Sequence, residues 1–186
     1  SSAASDVYKR QNPTEWEFMI ADGATFHDGS SVTSEDVVWS LKKMLSDEEN
    51  SFRLPVMPDS IRAAGANVVV METAEPNSQL PMLARLMTFV MKKGSSAEKP
   101  IGSGPFQLVS WENGSAKLKR FDNYHGTVAG VAEVHVIPFE DSTAMTNALL
   151  SGQIDLAQAA GPSAARSVEG NEDIKIVRRM NDSGIP

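Results

Sequence analysis

Few residues in this 186-residue chain are of types that could do chemistry. Its three histidines are His27, His125 and His135, and it has no cysteine. The lack of cysteine removes disulfides, thiolate zinc sites and cysteine nucleophiles. No histidine has a second ligand residue at the i,i+4 spacing of a helical zinc motif, so neither a metal site nor a cofactor is expected. Ser103 lies within Gly102-Ser103-Gly104, but a nucleophile elbow needs glycine two residues to each side of the serine, after a strand. The same stretch lacks the spacing of a phosphate loop ending in Gly-Lys-Ser/Thr. Ser103, His125 and Asp155 would make a hydrolase triad only if the fold brought them together, and the spacing gives no sign of that. The carboxylate pair Glu35-Asp36 opens a helical pattern, where acidic side chains stabilise the helix N-terminus. Residue types alone describe a soluble α/β protein with no evident catalytic machinery.

Composition narrows the classes further. Apolar residues make up 41% and charged residues 22%, the balance of an ordinary globular protein. Lys and Arg number 17 against 24 Asp and Glu, a net charge of −7. The basic residues form scattered doublets (Lys42-Lys43, Lys92-Lys93, Arg178-Arg179), with no stripe interleaved with aromatics. That argues against a nucleic-acid surface and against a polybasic membrane anchor. No window approaches the roughly 18 apolar residues of a membrane span. The methionines read as core filler on helix faces.

Several elements must position these residues. Ser1 to Gln11 shows neither strand nor helix periodicity and is set aside as a non-native leader. Glu15 to Ile20 alternates as a strand with Trp16 and Phe18 on one face. Thr25 to Gly29 makes a second short extended piece that closes on an Asp-Gly turn. Thr33 reads as an N-cap with Asp36 three residues on, and Val37, Val38, Leu41, Met44 and Leu45 follow at helical spacing. This predicts an amphipathic helix over 34–46. Asp47 to Pro58 is a loop, Val68 to Met71 a strand, and Leu80 to Leu86 a helix with Pro81 in its first turn. Thr88 to Met91 is expected to be extended.

Asn113-Gly114 between two apolar runs predicts a β-hairpin, with Gly102, Gly104 and Pro105 shaping its lead-in. Glu133 to Pro138 is a strand with Val134 and Val136 pointing one way. Asp141 or Ser142 then caps a helix with inner face Met145, Ala148 and Leu149, ended by Gly152 as the C′ residue. Ile154 to Ala157 is expected to be extended. Pro162 can start a short helix, and Ile174 to Val177 is read as the last strand. The strand–helix–strand order of the second half fits α/β packing.

Four stretches together resemble the family 5 bacterial extracellular solute-binding proteins, the peptide- and nickel-binding receptors of ABC importers. The first is Phe26-His27-Asp28-Gly29 with Val32-Thr33-Ser34-Glu35-Asp36-Val37 and Ser40. The second, Gly102-Ser103-Gly104-Pro105-Phe106 through Trp111 and Gly114, is similar to the family's Gly-Thr-Gly-Pro-Tyr hairpin. Leu118 to Gly126 is similar to its Leu-x-Arg-Asn-x-x-Tyr-Trp-Gly segment, with Tyr124 and Gly126 retained. Ser151-Gly152-Gln153-Ile154-Asp155 is similar to its Gly-Glu-Ile-Asp. The chain departs at Ser103, Phe106, Phe121 and His125, and the last two bear on packing of the second hairpin strand.

The resemblance implies a type II periplasmic-binding-protein-like α/β fold whose two lobes close on a ligand. By that analogy 12–97 would be a small accessory domain and 98–177 part of the first ligand lobe. Residues 178–186 would begin the crossing to a second lobe that is missing from the chain. The best ligand-facing stretch is Gln158, Ala159, Ala160 and Gly161, after the carboxyl end of the expected Ile154 strand, although a plain surface loop fits equally. The implied function is capture of a peptide-like or other small solute and delivery to ABC permease subunits in the inner membrane. The protein would be a monomer, periplasmic or lipid-anchored. The other readings are a serine hydrolase-like enzyme built on Ser103 and His125, and a sensor or chaperone on the same scaffold. Exposed sheet edges and apolar patches are expected.

Overall fold

The computed structural model describes residues 5–10 (as backbone), 12–50, 53–96, 98–158 and 161–177. The chain forms two compact units, Ser1–Val136 and Ile137–Pro186. The 97/98 boundary suggested by analogy falls inside the first of these.

The first unit contains a four-stranded sheet in the order β1-β2-β4-β3, built from β1 (Ser5–Arg10), β2 (Glu15–Ile20), β3 (Arg62–Ala63) and β4 (Val68–Glu72). All its pairings are antiparallel. In β2 the apolar alternation is realised: Trp16, Phe18 and Ile20 are buried and the residues between them are half-buried. Ser5–Arg10, whose sequence shows no period of its own, is an edge strand paired with β2 from Arg10↔Trp16 to Ser5↔Ile20. Pairing with an adjacent strand can order a segment whose own side chains carry no period.

Helix α1 (Ser34–Leu45) begins at Thr33 with a complete capping box. The Thr33 hydroxyl accepts from the Asp36 N–H, and the Asp36 carboxylate accepts from the Thr33 N–H, satisfying two of the helix's orphan donors. Leu41 and Leu45 of α1 join Trp16, Phe18, Leu54, Ile61, Val69 and Met71 in the main core, with Leu80 and Ala84 of α2 (Leu80–Met87). A second cluster of Ile20, Ala24, Phe26 and Val32 lies beside it, and Val37 packs against both.

Strands β5 (Phe106–Glu112), β6 (Ser115–Arg120) and β7 (Glu133–Val136) form a three-stranded antiparallel sheet. Its hairpin turns at Asn113 (φ 51°) and Gly114 (φ 78°), the two positive dihedrals that a type I′ turn requires. The register places Leu108, Leu118 and Val134 in one row and Trp111, Ala116 and Val136 in the next, on the same face. Trp111 is 67% exposed and Val136 49%, so part of this apolar face is open to solvent, as the sequence led one to expect.

The second unit holds α3 (Ser142–Leu150) and α4 (Gly161–Ser167). Asp141 caps α3 by accepting from the Ala144 N–H at 2.8 Å. At its other end Gly152 takes φ 72°, its N–H bonds the Leu149 carbonyl, and the Gln153 N–H bonds that of Ala148. This is a full Schellman termination. The inner face is shifted from the expected one: Thr146 and Ala148 are buried, while Met145 and Leu149 are half-buried.

Three segments expected to be extended, the last of them as a strand, form no strand. Thr88 to Met91 contains only an isolated bridge from Met91 to Gly102. Ile154 to Ala157 and Ile174 to Val177 form no strand. An extended apolar run becomes a strand only when a neighbour supplies ladder partners, and no strand among the described residues pairs with either segment. Leu156 and Val177 are accordingly 80% and 71% exposed. The methionine reading is also corrected in part: Met71 fills the core from a strand, while Met57, Met82 and Met87 are exposed.

Candidate functional site

Phe26-His27-Asp28-Gly29 forms a tight hairpin loop. The Gly29 N–H bonds the Phe26 carbonyl at 2.9 Å, the Phe26 N–H bonds that of Ser30 at 2.8 Å, and Thr25 bridges Ser31. This is a type I turn followed by a left-handed residue, and Gly29 supplies that residue at φ 84°. Phe26 points inward and is fully buried. Asp28 Oδ1 accepts from both the N–H and the hydroxyl of Ser30, and Oδ2 accepts from Lys92 Nζ. The Lys92 ammonium, with the two Ser30 donors, holds the Asp28 carboxyl well below its ordinary value of 3.8.

The outer side of this loop carries Gly102-Ser103-Gly104-Pro105. The His27 N–H donates to the Gly102 carbonyl at 2.8 Å, and His27 Nε2 lies 3.0 Å from the Gly104 carbonyl oxygen. A Cβ at Gly102 would stand 3.4 Å from His27 Cε1, so the glycine admits the ring closely. The Pro105 carbonyl accepts from the Phe121 N–H, and the buried Phe121 ring meets that of His27 edge-on at 5.1 Å. Phe121, one of the departures from the family pattern, is thus packed against the motif that identifies the family.

Helix α1 secures the same region from behind. Asp36 Oδ1 accepts from the Lys93 N–H at 2.9 Å, while its Oδ2 serves Thr33. Ser40 bonds both backbone groups of Met91. The Ser34 hydroxyl reaches the Gly65 carbonyl. Sequence reasoning placed Asp36 and Ser40 in a motif but gave no partners for them, because Met91, Lys93 and Gly65 carry no side-chain signal and act through their backbones. Tyr124 and Gly126 form a separate contact: a Cβ at Gly126 would fall 2.7 Å from the Tyr124 ring.

These motifs build the scaffold of the first unit, and among the described residues no hydrogen-bond partner reaches the Ser103 hydroxyl. Ser103 is 1% exposed and its hydroxyl has no hydrogen-bond partner, so no base stands ready to activate it. His27 is engaged with backbone, and His135 lies 3.6 Å from Glu133 on β7. Among the described residues no group of three His, Asp or Glu could hold a metal.

The stretch expected from sequence to face a ligand is described in part. Gln158 is exposed, Gly161 begins α4 at φ 71°, and Ala159 and Ala160 lie outside the described residues. Asp155 is exposed, following the Gly152 termination of α3. The second unit also has a cavity of about 210 Å³ between α3 and α4, bordered by Ser142, Thr143, Thr146, Asn147, Ser163 and Ser167. Two of its hydroxyls are already committed to helix carbonyls, Thr146 to Ser142 and Ser167 to Ala164.

Comparison with known proteins agrees with the geometry. The family described as bacterial extracellular solute-binding proteins, family 5 Middle, matches residues 2–185. Among solved structures, the nickel ABC transporter protein of Bacillus halodurans superposes with a TM-score of 0.77 at 24% identity, covering 91% of this chain and 36% of that one. AgaA of A. tumefacien, solved with agropinic acid, gives a TM-score of 0.67 at 26% identity, covering 82% and 33%. A curated relative, the HTH-type transcriptional regulator SgrR of Pectobacterium atrosepticum, is 25% identical over 132 residues, 67% of this chain and 23% of the regulator. The chain thus spans about a third of those structures and about a quarter of that relative. With the match running over nearly its whole length, the chain belongs to the family 5 bacterial extracellular solute-binding proteins.

Proposed function

We propose that this chain contributes to a receptor that captures a peptide-like solute by closure of two lobes and delivers it to ABC permease subunits. The observation that carries the reading is the family match over residues 2–185. The proposal sets the receptor in the periplasm or on a lipid anchor, as a monomer. It assigns 12–97 to an accessory domain and 98–177 to the first ligand lobe, with Gln158 to Gly161 facing the cleft. Closure would be driven by a ligand that contacts both lobes and so favours the closed state. Calorimetry with di- to pentapeptides tests it. The 186-residue chain should bind poorly, because one lobe offers only part of the contacts, and a longer protein holding both lobes should bind with micromolar affinity. Micromolar binding by this chain alone would overturn two-lobe capture.

A second reading is favoured by the regulator relatives: the same module could serve as the solute sensor of a transcription factor. Solute-dependent DNA binding by the longer protein, without solute uptake, would support the sensor over the importer.

A further inference from the structure

We infer that His27 is a positioning residue whose ring, fixed as the Nε2–H tautomer, sets the path of residues 102–104 and hence the direction in which the chain runs into β5.

A carbonyl oxygen can only accept, so the 3.0 Å contact to Gly104 requires the proton on Nε2. The His27 N–H donates to Gly102 two residues earlier, and one residue therefore grips two carbonyls of the same short segment. The ring is held in turn, by Gly102 against Cε1 and by the edge-on Phe121 ring. Two backbone bonds flank the grip: the Lys92 N–H to the Ile101 carbonyl at 2.8 Å and the Phe121 N–H to the Pro105 carbonyl at 2.9 Å. Between them Ser103 is buried without a partner for its hydroxyl, so its side chain adds no hydrogen bond to the segment's position.

The test is NMR of the 186-residue chain. The wild-type neutral ring should show the Nε2–H signature at about pH 8. In His27→Leu, amide exchange at Lys92 and Phe121 should rise about tenfold, the scale of one lost hydrogen bond. In His27→Gln, whose amide can donate from nearly the Nε2 position, it should rise less than about threefold. Amides of β4 serve as the reference for global unfolding. An Nδ1–H or averaging ring would overturn the inference, as would equal exchange at Lys92 and Phe121 in the two variants. The wild-type ring spectrum decides the matter should His27→Leu fail to fold.

Discussion

The Ser40 hydroxyl serves both backbone groups of Met91, donating to its carbonyl at 2.9 Å and accepting from its N–H at 3.0 Å. A side chain on α1 thereby takes the place of a strand partner, on the side of Met91 away from its bridge to Gly102. The rest of the chain needs this because Lys92 and Lys93 continue directly into the contacts with Asp28 and Asp36.

Ser40 is buried, so removing its hydroxyl leaves a donor and an acceptor of Met91 without partners. Ser40→Ala should cost about 1–3 kcal/mol in urea unfolding, the penalty for unsatisfied buried groups. A loss below about 0.5 kcal/mol, the low end for a hydrogen bond, would mean water replaces the hydroxyl.

Asp36 joins the capping box to the Lys93 amide with its two carboxylate oxygens. Asp36→Ala removes both and should cost about 2 kcal/mol or more, above the typical value for a cap alone. Asp36→Asn keeps one carbonyl oxygen, and its loss of stability should lie between wild type and Asp36→Ala.

Ser103 predicts the opposite sign. Its buried hydroxyl has no partner, so Ser103→Ala should leave stability unchanged or raise it by up to about 1 kcal/mol. Its burial should also make it inert to serine-directed phosphonate probes. Labelling at Ser103 in the folded chain would revive the hydrolase reading.

The Asp28–Lys92 pair governs acid sensitivity. Lys92, with Ser30, lowers the folded-state pKa of Asp28 from 3.8, so the unfolded chain takes up the proton first as pH falls. The stabilisation is present above about pH 4, near the ordinary carboxylate value, and is lost as pH drops through the folded-state value. Both side chains are about a third exposed, at 37% and 34%, so solvent and salt screen the pair and its worth should stay below about 1 kcal/mol. Unfolding of Asp28→Asn followed from about pH 6 down to about pH 2 should lack this part of the acid slope. The wild-type excess should shrink in high salt.

Much of this protein was written in local sequence. The alternation of Trp16, Phe18 and Ile20 gave β2, Thr33 and Asp36 gave the start of α1, and Asn113-Gly114 gave the hairpin. Each of these rests on interactions within a few residues, where residue type fixes dihedral angles and capping bonds. The ordered motifs likewise identified the family. Pairing with distant partners was a different matter. Ser5–Arg10 became a strand because β2 offered an edge, whereas Ile154 to Ala157 and Ile174 to Val177, more apolar, found none among the described residues. That Phe26 to Gly29 and Gly102 to Pro105 close on one another was also settled by tertiary structure, since the bonds run from one His27 to two glycine carbonyls and glycine carries no side chain to announce a partner.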